Sequence, residues 1–152
     1  MIRRISALVA VCAMSTGAPA FAQNASLDPN FGSVSLSAGF TPDPYSIDVV
    51  AGGDRDASRL ARGCVGKISD APDFRLTYQA DNLPLAFRTR GRNDTTLVIN
   101  GPDGRWSCDD DSWGDGDAEV RFDRPQSGVY DVWIGTYGDS PAESVLILTE
   151  TP

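Results

Sequence analysis

The chain has 152 residues and no histidine, and its one lysine is Lys67. These absences exclude a good deal of chemistry. Without imidazole there is no Ser-His-Asp or Cys-His nucleophile pair, no His-ligated zinc, and none of the side chain that most often serves as a base near neutral pH. Lys67 stands in GKIS with no S-x-x-K pattern around it. Paired carboxylates support glycoside hydrolysis elsewhere, but nothing in the spacing of the aspartates picks out such a pair. The expectation is a non-catalytic protein.

Long apolar runs are equally scarce. The longest opens the chain, in MIRRISALVAVCAMSTGAPAFAQ, where Arg3 and Arg4 precede the apolar stretch Ile5 to Met14 and an Ala20-Phe21-Ala22 motif. That is the layout of a secretory signal peptide, residues 1–22, with cleavage after Ala22. The run is too short to span a bilayer, so no membrane insertion is expected after cleavage. Val11 before Cys12 is not the small residue that a lipid-attachment site wants. The expected compartment is periplasmic or secreted.

Export leaves two cysteines, Cys64 and Cys108, in a setting that permits disulfides. Bridging them closes a loop whose constraint stabilises by roughly 4 kcal/mol in the chain-entropy model. The alternative is a pair of free buried thiols. A metal site on two cysteines needs further soft ligands, which the lack of histidine removes. Without Arg3 and Arg4, eleven basic residues face twenty-one acidic ones, a net charge of −10. Such a surface repels nucleic acid and favours cations or basic partners.

What the sequence does have is alternation. Residues 23–41 are polar and rich in small side chains, and predict a flexible N-terminal arm. From residue 42 to 152, apolar and polar positions alternate with the period of half-buried strands. YSIDVV, DFRLTY, LPLAFRTR, DTTLVIN, GRWSCD, AEVRFD, GVYDVWIGTY and SVLILTE each follow this pattern, separated by breakers such as AGGD, SDAPD, RGRND, NGPDG, PQSG and GDSP. The reading is an all-β, antiparallel, jelly-roll-like sandwich of about eight or nine strands. DRDASRLARG, residues 54–63, is the one short helix candidate.

The run DTTLVINGPDGRWSCDDDS followed by FDRPQSGVYDVWIGTY resembles the pre-peptidase C-terminal domain type. There a D-x-D/T-L strand, a PDG hairpin, a paired-aspartate segment and an SG-x-Y strand recur. The resemblance covers residues 42–150 and is strongest from Asp94 to Tyr137. The CxGxI…APDF…DTTL…PDG…CDDD pattern is also similar to that of small exported proteobacterial proteins, some labelled peptidases. It implies a non-catalytic sandwich with relatives that bind calcium. The departures are a free-standing domain and a cysteine pair that the family does not require.

The stretch SCDDDSWGDGD crowds Asp109, Asp110, Asp111, Asp115 and Asp117 into nine positions directly after Cys108. Charges this close repel, so they are compensated or they hang in solvent. Calcium takes six to eight oxygens and is one compensator. The EF-hand pattern does not fit, since Trp113 holds the fifth position from Asp109 and no glutamate the twelfth. Other readings are a solvated loop, or carboxylates that accept backbone N–H bonds or pair with arginines such as Arg105 and Arg121. If Trp106 and Cys108 face inward, Asp110 continues that face at the rim, where an unpaired carboxylate is costly. Asp110 is therefore the first ligand candidate, and Asp94, which resembles the family's recurring aspartate, is placed to meet it. Asp103 in the PDG turn is expected to cap its own turn.

Aromatic residues give the alternative reading, a carbohydrate- or protein-binding module with no metal. On GVYDVWIGTY, Trp133 shares a face with Asp131 and Tyr137, opposite Tyr130, Val132 and Ile134. Trp133, Tyr137 and Trp113 are the candidate stacking residues, for a glycan or for an exported protein.

Overall fold

The computed structural model describes residues 23–114 and 116–152; the expected signal peptide, residues 1–22, and Asp115 lie outside the described residues. Eleven strands form two sheets: β1 (Ser33–Ser37), β2 (Tyr45–Ala51), β3 (Arg55–Asp56), β4 (Lys67–Ile68), β5 (Phe74–Gln79), β6 (Leu85–Gly91), β7 (Thr95–Asn100), β8 (Trp106–Asp109), β9 (Glu119–Phe122), β10 (Gly128–Thr136) and β11 (Ala142–Thr149). The larger sheet is organised on β10. β5 and β4 lie end to end along one side of it, β7 and then β8 lie on the other, β1 flanks β5 and β3 flanks β4. The smaller sheet has the order β2-β11-β6-β9.

Alternation fixes the core. Phe74, Leu76 and Tyr78 of β5, Leu97 and Ile99 of β7, and Tyr130, Val132 and Ile134 of β10 point at Leu85 and Phe87 of β6 and Leu146 and Leu148 of β11. Phe87, Phe122 and Tyr130 meet at ring-centroid distances of 5.4–6.0 Å. These are the faces that the sequence pattern assigned inward. The extra strands relative to eight or nine are short ones, β1, β3 and β4.

Two expectations are corrected. Within the stretch read as a flexible arm, Ser33–Ser37 is β1, paired in parallel with β5 from Ser33↔Arg75 to Ser37↔Gln79. SVSLS alternates like any edge strand, and Val34 and Leu36 pack on the core; a polar composition masked the period. Residues ahead of it are tied down as well, by Asn30 Nδ2 donating to Asp73 (3.0 Å) and Arg75 Nη2 donating to the Leu27 carbonyl (3.2 Å).

The second correction concerns Trp133. It does lie on the face of β10 opposite Tyr130, Val132 and Ile134, yet it is 0% exposed. A second cluster of Ala57, Cys64, Ile68, Val98 and Trp133 covers that face, with Trp106 and Cys108 packed against it. The segment from β3 to β4 forms the cover and holds a single turn of 3-10 helix, Ala57–Arg59, in place of the helix candidate. Its close approach needs glycine: a Cβ on Gly53 would stand 2.1 Å from the Ile68 carbonyl oxygen, and one on Gly66, within the cover, would stand 2.6 Å from Thr96 Oγ1. The Cys64–Cys108 disulfide, with Cα atoms 5.0 Å apart, staples the cover to β8. Trp133 is therefore not a stacking platform. Its neighbour Asp131, also expected outward, is paired with Arg75 at 2.6 Å.

Candidate functional site

The acidic loop crosses from β8 in the larger sheet to β9 in the smaller one, and its carboxylates divide by task. Asp109 Oδ2 accepts from the backbone N–H of Ser112 (3.0 Å), the Ser112 hydroxyl (2.8 Å) and the backbone N–H of Glu119 (2.9 Å). Asp117 Oδ1 accepts from the backbone N–H of Gly91 (3.0 Å). Backbone bonds from Trp113 N to the Asp117 carbonyl and from Asp117 N to the Gly114 carbonyl close the tip. Two of the crowded aspartates are thus clamps that spend their lone pairs on backbone donors, a charge-assisted and correspondingly strong arrangement. The arginines considered as partners go elsewhere: Arg105 pairs with Asp103 (3.5 Å) and Arg121 with Asp123 (2.7 Å). Asp103 also accepts from Arg105 N, capping its own turn.

Asp94, Asp110 and Asp111 have no cationic partner among the described residues. Asp94, just ahead of β7, and Asp110 and Asp111, just past β8, lie at the same end of that antiparallel pair, and burial first, then the charges of Asp110 and Asp111, push the Asp94 carboxyl above the ordinary carboxylate value. Tyr137, 55% exposed, donates its hydroxyl to Asp110 Oδ2 at 3.0 Å. That hydrogen bond, and then the Asp110 charge, raise the Tyr137 phenol. Asp110 is therefore engaged by Tyr137 at the surface, and Cys108 and Trp106 face the second cluster in place of the central core. Among the described residues no three histidine, cysteine, aspartate or glutamate side chains stand close enough together to hold a metal ion.

Trp113 folds back over the outer face of the smaller sheet. Arg88 Cζ lies 4.7 Å and Arg90 Cζ 5.1 Å from its ring centroid, distances at which a cation is attracted by the ring quadrupole. Arg88 is held as well by an ion pair with Glu119. Its indole is thus already occupied by guanidinium groups, and Tyr137 is the free aromatic.

Sequence reasoning did not single out the residues beside Trp113. Asp48 and Val50 of β2, Glu143 and Val145 of β11, Arg90 of β6 and the following Arg92 line a groove of about 620 Å³. The outward arginines of LPLAFRTR were legible, but their neighbours depended on the β2-β11-β6 order.

No family model matches the chain, and no curated protein does. Among solved structures it is similar to the crystal structure of Aeromonas hydrophila PliG, a periplasmic lysozyme inhibitor of g-type lysozyme, at 12% sequence identity and a TM-score of 0.41, over 81% of this chain and 98% of that one.

Proposed function

We propose that this chain is an exported, non-catalytic binding protein that engages a basic partner protein at its acidic end. One observation carries the reading: an exposed tyrosine, Tyr137, is bonded to Asp110 in the field of Asp94 and Asp111, and none of the three carboxylates has a cationic partner among the described residues. Where the scaffold needs a carboxylate, as at Asp109 and Asp117, it supplies donors. Where it does not, charge is left facing water, and a lysine or arginine from outside is the complement. Tyr137 gives the patch an amphipathic anchor of the kind that concentrates binding energy. The disulfide and the signal-peptide pattern support export.

The test is capture of basic exported proteins on the immobilised chain, wild type against the triple variant Asp94→Asn/Asp110→Asn/Asp111→Asn and against Tyr137→Ala. Binding that falls in both variants and weakens with salt supports the reading. Binding indifferent to both substitutions overturns it.

Calcium at the same end is the second reading; it draws on the crowding of Asp94 with Asp110 and Asp111, and it requires the loop to close on the ion, since no three of the described acidic side chains converge as they stand. Asp115 belongs to that candidate ligand set from the sequence and lies outside the described residues; Asp109 and Asp117 contribute to it less, because their oxygens already serve the backbone. At about 100 times its dissociation constant, calcium bound only to the folded state adds about 2.7 kcal/mol. In a domain of this size that is a rise in melting temperature of about 10 °C. Melting indifferent to calcium and to chelator removes this reading and leaves the first untouched.

A further inference from the structure

β8 and β9 are edge strands of the two sheets, and the bond from Glu119 N to Asp109 ties them at the acidic end. At their other ends a cavity of about 230 Å³ opens, lined by Ser107 of β8 and Phe122 of β9. Ser107 sits opposite Ile99 and so shares its inward face. The rings of Phe122 and Tyr130, with centroids 5.4 Å apart, give the cavity an aromatic floor. Two braced loops form its lips. The turn from Gly101 to Arg105 is held by Gly101 N donating to the Arg105 carbonyl (2.9 Å) and Arg105 N donating to Asp103 Oδ1 (3.1 Å). Its Pro102 packs so closely on Gly128 that a Cβ there would stand 2.7 Å away. The other lip, residues 123–127, is clasped by the Tyr130 hydroxyl, which accepts from Gln126 N (3.0 Å) and donates to the Gln126 carbonyl (2.8 Å). These bonds leave the side chains of Ser107, Arg124 and Gln126 uncommitted, and Arg124 forms no ion pair among the described residues. Asp103 and Arg105, 3.5 Å apart, set an acceptor beside donors on the first lip.

We infer that this cavity binds one neutral pyranose ring of a glycan. A sugar ring carries an apolar face of C–H groups and a belt of hydroxyls, each of them both donor and acceptor. Its complement is an aromatic surface together with side chains of mixed hydrogen-bonding sense. Phe122 and Tyr130 supply the first, and Asp103 beside Arg105 supplies an acceptor and donors for neighbouring hydroxyls. Ser107 and Gln126 offer both senses, and Arg124 offers donors only. The volume falls below the ~300–1,000 Å³ of sites for drug-sized ligands and suits a single ring. An anion fits less well, because the Asp103 carboxylate is part of the lining. The cavity lies at the opposite end of β8 and β9 from the acidic loop, so the inference does not depend on the partner proposed there.

The experiment titrates the isotope-labelled chain with the methyl glycosides of glucose, galactose, mannose and N-acetylglucosamine, and with benzoate as a ring-bearing anion, and follows amide chemical shifts. At least one glycoside is expected to give saturable shifts at Ser107, Phe122 and Gln126, with Asp110 and Asp111 unmoved. Arg124→Ala and Gln126→Ala each delete one exposed hydrogen-bonding group and weaken that binding about fivefold. Ser107→Leu fills the cavity and abolishes it. An unchanged melting temperature verifies that each variant folds, and the two exposed lip variants decide the question without Ser107→Leu. Absence of shifts with all four glycosides overturns the inference. So does binding that the lip variants leave unchanged, or binding of benzoate with none of the sugars, which makes the cavity an anion site.

Discussion

Two connectors, residues 54–66 and residues 109–117, each lead to or from one cysteine of the Cys64–Cys108 bridge and end in opposite roles. The first carries Asp54 and Asp56 among three arginines, and the second carries five aspartates and no basic residue. In the first, Ala57 and Cys64 are buried over Trp133, and the aspartates find cations: Asp54 (3.7 Å) and Asp70 (3.3 Å) pair with Arg55, and Asp56 (3.9 Å) with Lys67. In the second, Asp109 and Asp117 are satisfied by backbone donors, whereas Asp111, like Asp94, is exposed and the half-buried Asp110 meets only the exposed Tyr137 hydroxyl. The aspartates of the covering segment are neutralised by its own cations. A segment left charged is available to something outside.

Breaking the staple should produce the largest effect. Cys64→Ser with Cys108→Ser is expected to lose roughly 4 kcal/mol of unfolding free energy by urea titration. Loosening of the cover should also red-shift tryptophan emission, since Trp133 and Trp106, 5.4 Å apart, lie beneath it. Unchanged stability and emission would mean that packing alone holds the cover.

The next effect is on the far side of the cover, at Asp73. This buried carboxylate accepts from Ile134 N (2.8 Å), Asn30 Nδ2 (3.0 Å) and Ser69 Oγ (3.0 Å), and it joins the N-terminal segment to β10. Burial pushes its carboxyl up to about 6, against the opposing pull of those donors. The folded state therefore holds a proton that the unfolded chain releases near pH 3.9. Its contribution is present in full below that pH and is lost as pH rises through about 6. Stability from this group should fall by on the order of 3 kcal/mol across that window. Asp73→Asn should remove this dependence, seen in urea titrations at half-unit steps of pH.

Within the acidic loop the contrast sharpens to single residues. Asp109→Ala strands the amides of Ser112 and Glu119 and is expected to cost about 1–3 kcal/mol. Asp110→Asn and Asp111→Asn touch no buried donor and should change stability by no more than about 0.5 kcal/mol. Equal losses at all three sites would erase the distinction between clamps and free charges.

Much of this contrast was visible in the sequence, but not all of it. The inward faces of DFRLTY, DTTLVIN and GVYDVWIGTY follow from alternation alone, and the crosslink follows from two cysteines surviving export. Parity also put Trp133 on the face opposite Val132, as found. It could not tell whether that face was wet, because cover by a distant segment is a tertiary event. The split among the aspartates was hidden for the same reason: Asp117 meets Gly91, and Asp109 reaches Glu119, only once the loop has crossed between sheets. Val34 and Leu36 carried a readable period that serine-rich composition obscured. Arg90, Asp48 and Glu143 were each readable as exposed, but their shared groove arises from strand order, which local pattern does not encode.

The central claim is that the free carboxylates at the acidic end bind a cationic ligand while the clamped ones only build the loop. Amide chemical-shift mapping of the isotope-labelled protein, titrated with a hexalysine peptide, tests it directly. The account predicts saturable shifts at Asp94, Asp110, Asp111 and Tyr137 that salt reverses and that disappear in Asp94→Asn/Asp110→Asn/Asp111→Asn. Shifts scattered evenly over the acidic surface, or undiminished in that variant, would contradict it.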